Sequence, residues 1–315
     1  MRTIHHRFCA FAVAAHLVPT ACTPIAAGSL PSRCEAIEVD PMRELVVTDT
    51  GVVSDARGDF RRIAGAILGA QSKLTHGPFE LVAVANRVDL TTLGPGHEAE
   101  LRFVYGLVTS GARQPLTVAV ELQLPPTHTT QEWAAAWHAL GSLTGDANRE
   151  ALFAIVDQVL AEPLHGQVRT QDAREPVPIL LEFDLADGSL TVPSALVNQP
   201  ATDVPPPDLA AFVSTHEDEI LADEEIVPRA MLATFATATP PAFALPGVPA
   251  DLVAAFTKTT CSGCHTSEPT LDGTFHVSPM RRGQAALSPF LIGSSTQPSE
   301  LSRRAEVLRG LLCNN

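Results

Sequence analysis

The feature that most constrains this chain is a block of three apolar segments with strict two-residue alternation, separated by turn signals. FELVAVANRVDL (Phe79–Leu90) follows the turn pair Gly77-Pro78. ELRFVYGLV (Glu100–Val108) sets Leu101, Phe103, Tyr105 and Leu107 on one side. LTVAVELQL (Leu116–Leu124) does the same with Leu116, Val118, Val120, Leu122 and Leu124. A period of two is the mark of a strand with one apolar and one polar face, and antiparallel sheets tolerate that arrangement. Gly94-Pro95-Gly96 and the Gly111–Pro115 stretch supply the reversals. GQVRTQD, PILLEFDL and SLTVPSALV are further strand candidates, with a hairpin signal at Asp187-Gly188. ELVVTD (Glu44–Asp49) reads as another strand.

Helical patterns stand in separate blocks. GDFRRIAGAILGAQ carries Phe60, Ile63, Ala64 and Ile67 on one face. Thr129-x-x-Glu132 is a capping box ahead of Trp133, Trp137 and Leu140. Leu152, Ile155, Val156 and Val159 form the stripe of a second helix, with Asp146 as its expected cap, and Leu209, Phe212, Val213, His216 and Ile220 that of a third. Strands and helices in blocks, not alternating, predict an α+β fold with a mixed or antiparallel sheet and packed helices. A small, mostly helical C-terminal segment follows. The expected organisation is a leader over 1–27, an α+β domain over 28–225, a Pro/Ala-rich linker over 226–248, and a helical cytochrome c-like segment over 249–315. Ser299 caps the last helix, whose Leu301, Ala305, Leu308 and Leu312 share a face.

The 315 residues carry a net charge of −14, which disfavours phosphate backbones and anionic membranes as partners, so no nucleic acid is expected. The N-terminus has Arg2 and Arg7 followed by the apolar run Phe8–Val18. That run is too short for a bilayer span of about 20 residues but suits a signal peptide. VPTAC resembles a bacterial lipobox ending at Cys22, with Pro19 and Thr20 departing from the usual residues; cleavage near Ala27 without lipidation is the alternative. Export is expected, to the periplasm or outer membrane, with a membrane anchor through Cys22 if it is acylated. Cys34 and Cys313 could then form a disulfide in an oxidising compartment, or remain free thiols.

One motif suggests chemistry. Cys261-Ser262-Gly263-Cys264-His265 matches the attachment site for c-type haem. Two thiols at this spacing can bond the two porphyrin vinyl groups, and the adjacent His reaches the iron as proximal ligand. PADLVAAFTKTT ahead of it reads as a short helix. With the terminal helix it resembles a small cytochrome c domain, although little chain follows the motif. His276 and Met280 are the distal candidates. The expected function is electron transfer or redox sensing with an envelope or redox partner. The competing reading is a non-redox envelope lipoprotein, in which the CxxC is a structural disulfide or a zinc site including His265 or His276 and the N-terminal domain binds a ligand or partner. No nucleotide-binding or hydrolase motif is present, and no catalytic residue is assigned. Arg87 and Asp89 read as a structural pair at a strand end, and His138 as a surface residue.

FELVAVANRVDL, LRFVYGL, WAAAWHALGSL, LAAFVSTHEDEIL, and CSGCH followed by FHVSP and LSPFL resemble uncharacterised predicted lipoproteins of myxobacteria and related Deltaproteobacteria, over about residues 79–312. The resemblance implies export and adds no activity.

Overall fold

The computed structural model describes residues 36–48, 79–92, 97–172, 179–187, 189–190, 199–202, 205–221, 227–232, 234, 242–260, 262–263, 276–280, 287–293 and 299–313. Seven strands form one sheet in chain order: β1 (Val46–Val47), β2 (Phe79–Arg87), β3 (Glu100–Thr109), β4 (Ala112–Gln123), β5 (Gly166–Asp172), β6 (Ile179–Ala186) and β7 (Ser189–Leu190). Every neighbouring pair is antiparallel. The fold is α+β, and the sheet is the antiparallel one of the two expected forms. The helix read in GDFRRIAGAILGAQ lies outside the described residues.

The alternation in the sequence becomes a register. Val84, Phe103, Val120, Val168 and Phe183 are successive cross-strand partners, so one apolar row runs across five strands. All five are buried, as are Leu101, Tyr105, Val118 and Leu122 in flanking rows. β4 and β5 are joined through α1 (Thr130–Ala139) and α2 (Gly145–Leu160). Trp133 and Trp137 of α1 and Leu152, Phe153, Ile155, Val156 and Val159 of α2 join the core of the apolar rows. The Thr129 capping box is complete, with the hydroxyl accepting from Glu132 N and the Glu132 carboxylate accepting from Thr129 N. Asp146 does not cap α2; it pairs with Arg149 at 2.9 Å, and the cap position is Thr144.

Two elements depart from the sequence expectation. ELVVTD is a strand only at Val46–Val47, because Pro41–Leu45 winds into a π-helical turn. Asp40 Oδ1 accepts from Met42 N at its start, and the buried Glu44 carboxylate folds back to accept from Asp40 N. The opposite face of the sheet is not the solvated face that alternation implies: Val104, Thr117, Ala119, Glu121 and Gln171 are buried there too.

A second apolar cluster gathers α3 (Leu209–Thr215), α4 (Glu217–Leu221) and α5 (Ala250–Thr259). Phe243 and Leu245, in the stretch expected to be a linker, are buried in it. After the short α6 (Pro289–Ile292), the terminal helix α7 (Glu300–Cys313) returns to the first core with Leu301, Ala305 and Leu308. Residues 249–315 are therefore divided in their packing: α5 belongs to the second cluster and α7 to the sheet. Ser299 caps α7 as expected, accepting from Ser302 N and donating to Leu291 O.

Candidate functional site

The helix that leads to the Cys motif is anchored from inside. Leu252 and Phe256 of α5 are buried, and the Phe256 ring lies 5.3 Å from that of Phe243. At its C-terminus the last carbonyls need partners, and threonines supply them. Thr257 Oγ1 donates to Val253 O, Thr259 Oγ1 to Phe256 O, and Thr260 Oγ1 to Thr257 O. Thr260 Oγ1 in turn accepts from Gly263 N at 3.1 Å. Ser262 and Gly263 have helical backbone and are buried, and Ser262 N donates to Gln199 Oε1. A Cβ on Gly263 would overlap the Thr257 carbonyl, so only glycine fits that position. Cys261, Cys264 and His265 themselves lie outside the described residues.

Both distal candidates are described. His276 is half-buried, and its ring stacks on Phe290 with centroids 4.5 Å apart and planes 26° apart. Its carbonyl accepts from Ser288 N, beside the Val277–Leu287 bridge that closes this loop onto α6. Met280 is 44% exposed. Its neighbour Pro279 seats against Gly106 of β3, where a Cβ would collide with it, and the Pro279 carbonyl accepts from Arg113 Nη1 at 3.0 Å. Among the described residues no three His, Cys, Asp or Glu side chains are grouped so as to hold a metal ion.

Cys313, at the end of α7, is disulfide-bonded. Cys22 and Cys34 lie outside the described residues. No helix among the described residues is long and apolar enough to cross a membrane.

The charged groups nearest the sheet form a separate constellation. Arg87 and Asp89 make the expected pair, through two contacts of 2.9 and 3.2 Å. Asp89 also meets Arg303 Nη2 at 3.0 Å and Arg304 Nε at 3.9 Å, both from α7, and these two arginines are held by Glu300. Burial alone raises the Asp89 pKa, but Arg87, Arg304 and Arg303 overcome it and bring the carboxyl down to about 2. On the polar face of the sheet, Arg102 contacts Glu100 and Glu121, and Arg169 contacts Glu121 and Glu182. Burial works to raise Glu121, yet the Arg102 and Arg169 guanidinium groups hold it below the usual carboxylate range. The Glu121 contacts brace the sheet across its strands, and the Asp89 contacts tie α7 to the end of β2.

The sequence reading missed Glu44 and His138. His138 keeps 35% of its side chain exposed, as expected of a surface position, but its Nδ1 lies 2.8 Å from the buried Glu44 Oε2, and Asn86 Nδ2 donates to Glu44 O. The signal was an acidic residue directly ahead of the apolar run Leu45–Val47. No family model, curated protein or solved structure matches this chain.

Proposed function

We propose that this is an exported envelope protein carrying c-type haem covalently on Cys261 and Cys264, with His265 as proximal iron ligand, and that it transfers or senses electrons. The observation that carries this reading is the Cys-x-x-Cys-His spacing at the end of a docked helix. Between the two cysteines Ser262 and Gly263 have helical backbone, and the motif sets two thiols three positions apart directly ahead of a His. That is the donor set and spacing a porphyrin with two vinyl groups requires. Bound there, the haem supplies one-electron chemistry. The chain's own contribution is to hold the attachment turn still. The threonine bonds at the end of α5 and the Gly263 contact do so. Of the two distal candidates His276 is the better supported, because its ring is held in a half-buried position on Phe290 whereas Met280 faces solvent.

The leader and lipobox-like Cys22 support export with a lipid anchor, and the disulfide at Cys313 is consistent with an oxidising compartment. The partner is then an envelope redox protein.

Expression of the full precursor in a bacterium equipped for cytochrome c maturation tests the reading. A haem-peroxidase stain on a denaturing gel and a pyridine haemochrome spectrum are expected for the native chain and absent for Cys261→Ala/Cys264→Ala. An exported, folded, unstained protein overturns it.

A second reading is favoured by one observation. α5 and α7, expected to pair as in a small cytochrome c unit, pack in different clusters. In that reading the CxxC is a structural staple or zinc site, and the sheet domain binds the ligand or partner. Zinc retained through purification and lost with the Cys substitutions would select the metal form of it.

A further inference from the structure

We propose that the disulfide at Cys313 is made to Cys34, and that it locks the first described segment of the chain onto the last helix as a redox-sensitive strap. Cys313 is disulfide-bonded, and one turn before it on α7 Arg309 Nε donates to Ile37 O at 3.0 Å. Four helical residues advance about 6 Å along the axis and return to the same face. Three residues of extended chain separate Ile37 from position 34, a reach of at most about 10 Å. A bridge needs Cα atoms roughly 4–7 Å apart, and three residues beyond Ile37 are chain enough for Cys34 to reach Cys313.

The other cysteines fit less well. Ser262 and Gly263, between Cys261 and Cys264, are bonded to the end of α5 and to Gln199, and α5 belongs to the second cluster. α7 belongs to the first. Cys9 lies inside the leader, and Cys22 is more than ten residues further from Ile37 than Cys34 is.

The strap has its own seat. After Ile37 the chain enters the π-helical turn, where Glu44 takes His138 from α1 and Arg43 Nη1 donates to the carbonyls of Gly141 and Leu143. It ends as β1 on the edge of the sheet. The bridge closes the end of this segment opposite β1. Formation is a two-electron oxidation. The two thiols lose two protons and two electrons, and a disulfide-bearing oxidant of the compartment is reduced to a dithiol. Reduction reverses the step and leaves the strap held by the Arg309 bond and the π-turn contacts.

The test uses the full mature chain recovered from an oxidising periplasm, alkylated with N-ethylmaleimide before denaturation, digested without reductant and mapped by mass spectrometry. A peptide pair joining Cys34 to Cys313, which separates on reduction, is the expected result. Cys313 joined to any other cysteine, or Cys313 carrying maleimide, overturns the proposal. Because the map is read on the native chain, it does not depend on a variant folding. Limited trypsin digestion then reads the strap: cleavage after the exposed Arg43 is expected to accelerate at least about tenfold on reduction and equally in Cys34→Ala. An unchanged cleavage rate removes the strap function. The Cys261→Ala/Cys264→Ala chain is expected to keep the bridge, which separates this proposal from the haem reading; loss of the bridge there overturns it.

Discussion

Asp89 concentrates the electrostatics of the fold in one carboxylate. It is almost fully buried and faces Arg87, Arg303 and Arg304. Its pKa is depressed in the folded state, so its contribution is complete above the unfolded value of about 3.9 and is lost as pH falls toward 2. The shift corresponds to about 2–3 kcal/mol. Urea unfolding midpoints are expected to fall between pH 4 and pH 2, and Asp89→Asn is expected to flatten that fall while costing about 3–5 kcal/mol at neutral pH, because buried Arg87 loses its bidentate anion while Arg303 and Arg304 keep only Glu300. A slope unchanged in the variant would show that other carboxylates carry the effect. Thr117 offers the opposite case. Its Oγ1 is buried with no hydrogen-bond partner, so Thr117→Val is expected to stabilise by about 1 kcal/mol; a lower melting temperature would contradict this. The Arg87–Asp89 pair was legible because its members stand two residues apart at a strand end. Glu44 and His138 are 94 positions apart and meet only through a turn that local pattern does not encode.

At the scale of elements, the long strands were legible because each repeats the same choice many times. The Phe103–Val120–Val168 row needs only that alternation and the turns between. The capping box was legible for the same reason: its residues are local, and Thr129→Ala is expected to cost about 1 kcal/mol in thermal or urea unfolding. The stretch before α5 has the Pro-Ala-Thr composition of a linker or an extended strap, and two residues, Phe243 and Leu245, anchor it to the second cluster. The second cluster has few large side chains, with Phe256 wholly buried among them. Phe256→Ala is expected to cost about 3–5 kcal/mol of that cluster's stability. Hydrogen exchange should quicken through α3, α4 and α5 while β3 and β4 stay protected; uniform loss of protection would mean the two clusters unfold as one. The haem candidate was legible as a motif only. Composition and periodicity carry no information on what surrounds such a motif in space.

Across the whole molecule, the placement of α7 outweighs any local pattern. Its stripe of Leu301, Ala305 and Leu308 was readable, but an amphipathic stripe does not say which surface it fits. Proximity in sequence favours a place beside the CxxCH helix; contacts of Arg303 with Asp89 and of Arg309 with Ile37 O instead hold α7 against the sheet domain. Deleting residues 300–315 is therefore expected to abolish the cooperative unfolding transition of the sheet, not merely to trim a tail. A synthetic peptide spanning those residues should bind the truncated chain and restore the transition; a truncated chain that unfolds as sharply as the full one would refute this. There is a consequence for biosynthesis. β6 and α7 are separated by about 110 residues, or roughly 5–20 s of translation. For that interval the meander can pair strand by strand, yet one flank of its apolar row stays open. A chain emerging N-terminus first, from ribosome or translocon, leaves that flank open to chaperones until the final piece arrives.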